Sequence, residues 1–309
     1  MRQAALTFTV LLVLAAPLFA EEEAPAPEAK EPSGPQVFFK IGGGLVEQFE
    51  TDLDDGGSFR VDRYYVRPGA NVFLSRQLQV SLGVGFGEEH YRFFGDEGLG
   101  GADPWDVARS VSVGGRVRYA LDGKWSLFGA PKFIWSVEEG ADLGDGFTFG
   151  LFGGARYAVS ETLTIGPGLG LLTQIEESPV LFPFLLIEWE MDDRWSLSTG
   201  SGLAATRGPG LVLSCQLADD WRIGLGGRWE QFRFRLDDEG PAPDGVGEES
   251  SLPGYLALTW KPTWRTSVSL LAGVNFFGRL SLYDEDGHEL RREDYDPAPF
   301  VGVVFDIGL

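Results

Sequence analysis

From residue 37 onward, apolar and polar residues alternate with a period of two, the mark of strands whose two faces meet different surroundings. In the stretch 221–229, Trp221, Ile223, Leu225 and Trp229 share one parity, and Arg222, Gly224, Gly226 and Arg228 share the other. Leu78, Val80, Leu82, Val84 and Phe86 stand against Gln79, Ser81, Gly83 and Gly85 in the same way. The pattern returns as Val111, Val113, Val117 and Tyr119, as Trp125, Leu127, Phe133 and Trp135, and as Phe147, Phe149, Leu151, Ala155 and Tyr157. Near the end it is Val268, Leu270, Ala272, Val274 and Phe276. Short turns within 74–83, 120–129, 158–167, 190–199, 216–225 and 261–270 each lead into a new alternating run. Six such turns join twelve strands, and one more strand at each end makes fourteen. The intervening segments near 48–58, 88–106, 138–146, 237–251 and 279–298 are longer and acidic, and read as loops. Those near 175–179 and 205–209 are short. Residues 180–187, VLFPFLLI, are apolar on both parities, which predicts packing against a plug or partner, or a shifted register.

Length sharpens the pattern. Trp221 and Trp229 are eight residues apart, roughly 26 Å of strand at about 3.3 Å per residue. Tilted by about 40°, such a strand rises roughly 20 Å, close to the ~25 Å apolar band of a membrane barrel between its aromatic girdles. The expected fold is therefore all-β: a transmembrane up-and-down antiparallel β-barrel of about fourteen strands, twelve and sixteen being the adjacent even counts. A soluble barrel would turn its apolar side inward, and the Gly- and Arg-rich face is too small to fill so wide an interior. The 43 Gly and 13% aromatic residues suit small inward positions and aromatic rims.

The ends of the chain divide it into three. Met1 to Ala20, with Arg2 before an apolar run and Leu18-Phe19-Ala20 at its close, reads as a secretory signal. Residues 21–36, EEEAPAPEAKEPSGPQ, form an acidic Pro/Ala/Glu-rich periplasmic linker. Residues 37–309 make the barrel. The formal net charge is −21, and it becomes −22 when Arg2 leaves with the signal. So negative a chain is a poor partner for nucleic acid, which requires clustered Lys and Arg. The single Cys215 cannot form an internal disulfide.

The last residues, FVGVVFDIGL, place Val301, Val303, Phe305, Ile307 and Leu309 on one face, and Gly302, Val304, Asp306 and Gly308 on the other. This resembles the terminal strand of bacterial outer-membrane β-barrel proteins of porin-like type. Leu309 stands where that pattern usually ends in Phe or Trp. The resemblance implies the outer membrane of a Gram-negative-type bacterium, both termini in the periplasm, and insertion by the barrel-assembly machinery. It also implies contact with outer-membrane lipid and lipopolysaccharide.

Assigning the minority parity to the lumen points Lys40, Arg67, Arg116, Arg118, Lys132, Arg156, Arg222, Arg228 and Arg265 inward, against Glu188, Glu190 and Asp306. A basic lumen in an acidic protein favours anions. The expected role is passive diffusion of small anionic solutes. The alternative is a closed barrel serving as a surface scaffold through acidic loops. Carboxylate clusters at 52–57, 142–146 and 284–289 are candidate sites for Ca²⁺ or Mg²⁺, but none matches the twelve-residue calcium loop, and solvated turns are the expected reading. No cofactor is expected. A lipid-active hydrolase would need a Ser beside His90 or His288, the two His of the chain, and no Ser is placed by sequence next to either.

Overall fold

The computed structural model describes residues 35–199 and 210–309. The signal, almost all of the linker and the short segment 205–209 lie outside them. The strands are β1 (Gln36–Asp52), β2 (Ser58–Phe73), β3 (Leu78–Phe94), β4 (Val107–Ala120), β5 (Trp125–Glu138), β6 (Phe147–Ala158), β7 (Leu163–Gln174) and β8 (Glu177–Glu190). They continue as β9 (Trp195–Thr199), β10 (Gly210–Ala218), β11 (Trp221–Arg228), β12 (Glu230–Arg235), β13 (Val246–Thr263), β14 (Thr266–Tyr283), β15 (Glu289–Tyr295) and β16 (Ala298–Gly308). A short helix α1 (Gly98–Ala102) follows β3, and a 3-10 turn (Leu143–Gly146) follows β5.

Fourteen of these strands form the wall. β1 to β11 pair in order, β11 pairs with β13, β13 with β14, β14 with β16, and β16 closes on β1 through Lys40 to Gln48. All these pairings are antiparallel, and the six short turns fall where the alternation predicts them. Their chemistry is local. Asp122 accepts the backbone N–H groups of Lys124 and Trp125, each at 2.7 Å, and Asp192 accepts those of Arg194 and Trp195, each at 2.8 Å. These donors hold both carboxyls below the usual range. Ser75 and Ser160 accept N–H groups in the equivalent turns.

The predicted faces are observed. Leu82, Val84, Phe86, Val113, Val117, Leu127, Phe133, Leu151, Leu225, Leu256, Leu270, Val301 and Val303 project outward and are exposed. Trp125, Trp189, Trp195, Trp221, Trp260 and Tyr119 ring the short-turn end, with Trp221 stacked on Trp260 at 6.3 Å. An exposed apolar belt edged by aromatics matches lipid, where every backbone polar group must be paired, as closure achieves.

The segments expected as long loops are partly strand. β1 and β2 are joined by only 53–57, and β3 continues to Phe94. Of 237–251, the residues 246–251 are strand, the first third of β13, and β14, β15 and the start of β16 occupy most of 279–298. These extensions build a second, narrower ring above the lipid belt. β12 continues the line of β11, pairs with upper β13, then crosses to β5 through the parallel pair Arg235–Val137. Upper β14 pairs with β15, whose Tyr295 bridges Leu53 just beyond β1. The upper ring thus runs β12, β13, β14, β15, β1, β2, β3, β4, β5, and leaves β6 to β10 below it. The barrel narrows from fourteen strands to nine.

Candidate functional site: the lumen and its cap

At lipid level the inward positions of one wall are basic. Lys40 on β1, Arg67 on β2, Arg116 and Arg118 on β4, Lys132 on β5 and Arg156 on β6 have lumen parity and are partly exposed. Small residues separate them. Arg67 and Asp306 flank Gly42 in register, and Lys132 lies between Gly114 and Gly150. Arg67 stacks on the Tyr65 ring at 4.8 Å, and Arg156 pairs with Glu188. On the other wall Arg222 donates to Gln216 at 3.1 Å, while Arg228 pairs with Glu230 and lies 5.7 Å from the Tyr255 ring centre.

Two expected lumen residues lie at the rim instead. Arg265 occupies the tight turn between Thr263 and Thr266, exposed, with its guanidinium 4.3 Å from the Trp264 ring centre. The irregularity between Trp260 and Thr263 carries the hairpin past the level at which simple alternation would point Arg265 inward. Glu190 ends β8 and is exposed at the same end.

The doubly apolar run 180–187 has a simple explanation. Leu181 and Leu185 face outward, whereas Phe184 and Leu186 face the lumen and pack with Ala130 and Phe152, bordered by Phe128, Leu172 and Phe182. The packing partner is the barrel's own wall, and the register is regular: Gly168 pairs with Phe184 and Gly170 with Phe182. Each ring reaches over its glycine, into space that a Cβ would occupy.

Above the belt, the interior of the nine-strand ring is filled. Phe59, Val61, Tyr91, Leu99, Trp105, Phe232, Phe234, Leu236, Leu280, Leu282 and Tyr295 form one buried cluster. Trp105 meets Phe93 and Phe234 edge-on, each at 5.5 Å between ring centres, and Phe59 meets Tyr295 at 4.9 Å. About eight strands enclose an interior just wide enough for side chains to fill, so a nine-strand ring can be dry where fourteen strands leave room.

A polar layer underlies this cap. Arg63 donates to both oxygens of Glu249 at 2.7 and 2.8 Å, to Glu89 at 3.3 Å and to Gln48 at 3.2 Å. Tyr91 and Tyr295 donate their hydroxyls to Glu249 at 2.7 and 3.1 Å, and Asn275 donates to Gln48 at 2.7 Å. Glu249 stands above Leu252, where the lipid-facing part of β13 begins. Burial alone would raise its carboxyl; Arg63 and the hydroxyls outweigh this and hold it below the usual carboxylate range. None of these residues was singled out from sequence, because they fall in or beside segments read as loops. A signal was present: Phe59, Val61, Arg63 and Tyr65 continue the lumen parity of Arg67 without a break.

At the seam between β5 and β12, Glu138 accepts the N–H groups of Asp106 at 3.1 Å and Asp237 at 3.2 Å. Burial dominates and pushes its carboxyl up to about 7. Beside it, Arg235 pairs with Glu176 and Arg233 with Glu177 and Glu248, tying the β7–β8 tip to the outer face of β12.

The remaining candidates are local. His90 faces outward on β3, 5.7 Å from the Tyr64 ring centre and 3.6 Å from Glu88, so its named neighbours are a ring and a carboxylate rather than a serine. His288 is bound to Asp284 within its own turn. In the acidic turns Asp142 and Asp284 accept backbone N–H groups, and no group of three metal-ligating side chains converges among the described residues.

No family model and no curated protein matches the chain. Among solved structures it is similar to an outer membrane channel from Pseudomonas putida F1, at 10% identity and a TM-score of 0.45, covering 93% of this chain and 100% of that one. It is similar to the P. putida toluene transporter TodX at 9% identity and a TM-score of 0.42, covering 90% and 91% of the two chains. A KdgM porin in complex with disordered oligogalacturonate aligns at 10% identity and a TM-score of 0.33, covering 85% and 97%. Likeness this loose leaves the assignment to the chain's own pairings and surface. By its closure, its fourteen wall strands and its outward apolar belt, the chain is a transmembrane antiparallel β-barrel.

Proposed function

We propose that the protein is a diffusion channel for small anionic solutes, closed at its strand-extended end by the aromatic cap. The observation that carries this reading is the excess of cations on the lumen wall at lipid level. Lys40, Arg67, Arg116, Arg118, Lys132 and Arg156 occupy inward positions on five strands, where Asp306 and Glu188 are the acids beside them. A charged ring on low-dielectric walls raises the local concentration of counter-ions and excludes co-ions. The cap makes the resting state one of low conductance, and transport follows when it loosens.

The test is conductance of the full-length barrel in planar bilayers. Trp105→Ala opens a void in the cap and is expected to raise open probability, with currents that prefer anions. Exchanging Arg116, Arg118 and Arg228 for Glu in that background is expected to reverse the preference. Well-folded wild-type and Trp105→Ala proteins that both carry no current would refute the channel and favour a surface scaffold.

A further inference from the structure

The basic wall and the lumen's aromatic patch are contiguous. Arg118 pairs directly with Phe128, which pairs in turn with Gly154; Gly154 pairs with Gly168, and Gly168 with Phe184. Two rows away, beyond the row of Ala130, Phe152, Gly170 and Phe182, Lys132 pairs with Gly150, and Gly150 with Leu172. Gly154 and Gly168 put no side chain between Phe128 and Phe184 in this row. Phe128 and Phe184 lie 6.2 Å apart, Phe152 and Phe184 6.4 Å, and Phe152 and Phe182 6.1 Å, all tilted or edge-on. Phe128, Leu172 and Phe182 keep part of their surface open at the margin of this cluster. Small-ligand sites are lined mostly by apolar and aromatic side chains with a few placed polar groups, and this patch beside Arg118 has that composition.

We propose that the lumen binds a small aromatic carboxylate, its carboxylate on Arg118 and its ring on the Phe128–Phe182 margin. The inference rests on the anionic reading of the same lumen and narrows it to one class of ligand. Arg offers a planar fork that fits a carboxylate, and tilted rings offer edge and face to an incoming ring.

Binding is measured on the full barrel folded in detergent micelles, by saturation-transfer NMR of benzoate with acetate and cyclohexanecarboxylate as competitors. Benzoate is expected to bind at least about tenfold more tightly than acetate, a difference of about 1.4 kcal/mol. It is also expected to outbind cyclohexanecarboxylate, which matches its size without a π face. Arg118→Gln should abolish the signal, and Phe128→Leu with Phe182→Leu, which keep apolar volume, should bring benzoate down to the level of cyclohexanecarboxylate. Equal affinity for benzoate and acetate, or benzoate binding unchanged by Arg118→Gln, overturns the proposal. The readout needs no current, so an anion-selective conductance without benzoate preference removes this inference and leaves the channel standing.

Discussion

Replacing Arg63 by Met tests whether the polar layer supports the cap. The substitution keeps length and apolar stem but removes the guanidinium from Glu249, whose carboxylate it engages at 2.7 and 2.8 Å. Breaking a buried pair from one side costs about 3–5 kcal/mol, because the remaining charge is left uncompensated. The two tyrosine hydroxyls still reach Glu249, which places the loss toward the lower figure. The sign of the pH dependence is the sharper readout. In the wild type Glu249 is held below its ordinary value, so its contribution is present above the unfolded pKa and lost as pH falls. In Arg63→Met the lowering partner is gone and burial dominates, so the carboxyl rises and the defect shrinks on acidification. Hydrogen exchange at the amides of Tyr91 and Phe234, read between pH 7 and pH 4 against wild type, should show protection lost at pH 7 and partly regained at pH 4. The pair Arg63→Met with Glu249→Leu should recover most of the loss, since an apolar replacement of a buried pair is often neutral. Protection unchanged at pH 7, or a defect that deepens with acid, would refute the reasoning.

Other outcomes follow from single contacts. Trp105→Ala should destabilise the cap by about 3–5 kcal/mol, the usual cost of emptying a large core site, as measured by denaturant unfolding in vesicles. Gly278→Ala drives a methyl into the Tyr295 ring and should lower the unfolding midpoint more than Gly129→Ala, whose added methyl meets nothing within 4 Å. Glu138, raised to about 7, favours the folded seam when protonated, so protection of the Asp106 and Asp237 amides should fall as pH rises from about 5 to 8. Glu138→Gln should flatten that profile.

The period-two pattern by itself determined the barrel, its fourteen strands, its six short turns and which face meets lipid. Each of these is local: alternation sets the two faces of a strand, and a capped turn sets where the next begins. The same alternation assigns basic residues to the lumen, and the structure moves two of the assigned residues, Arg265 and Glu190, to the rim, where an irregular hairpin and a strand end leave them. The cap was not legible. Its strands keep the same parity, but their surroundings invert: on β2 the inward side passes from Arg67 through Arg63 to Val61 and Phe59, while the outward side passes from Val66 to Asp62 and Arg60. That inversion comes from the narrowing of fourteen strands to nine, set by the crossing of β12 to β5, a contact between residues 235 and 137 that no local period encodes. Only the tertiary structure decided that water leaves the interior there, and so turned an acidic run of apparent loops into an aromatic core resting on an arginine and a glutamate.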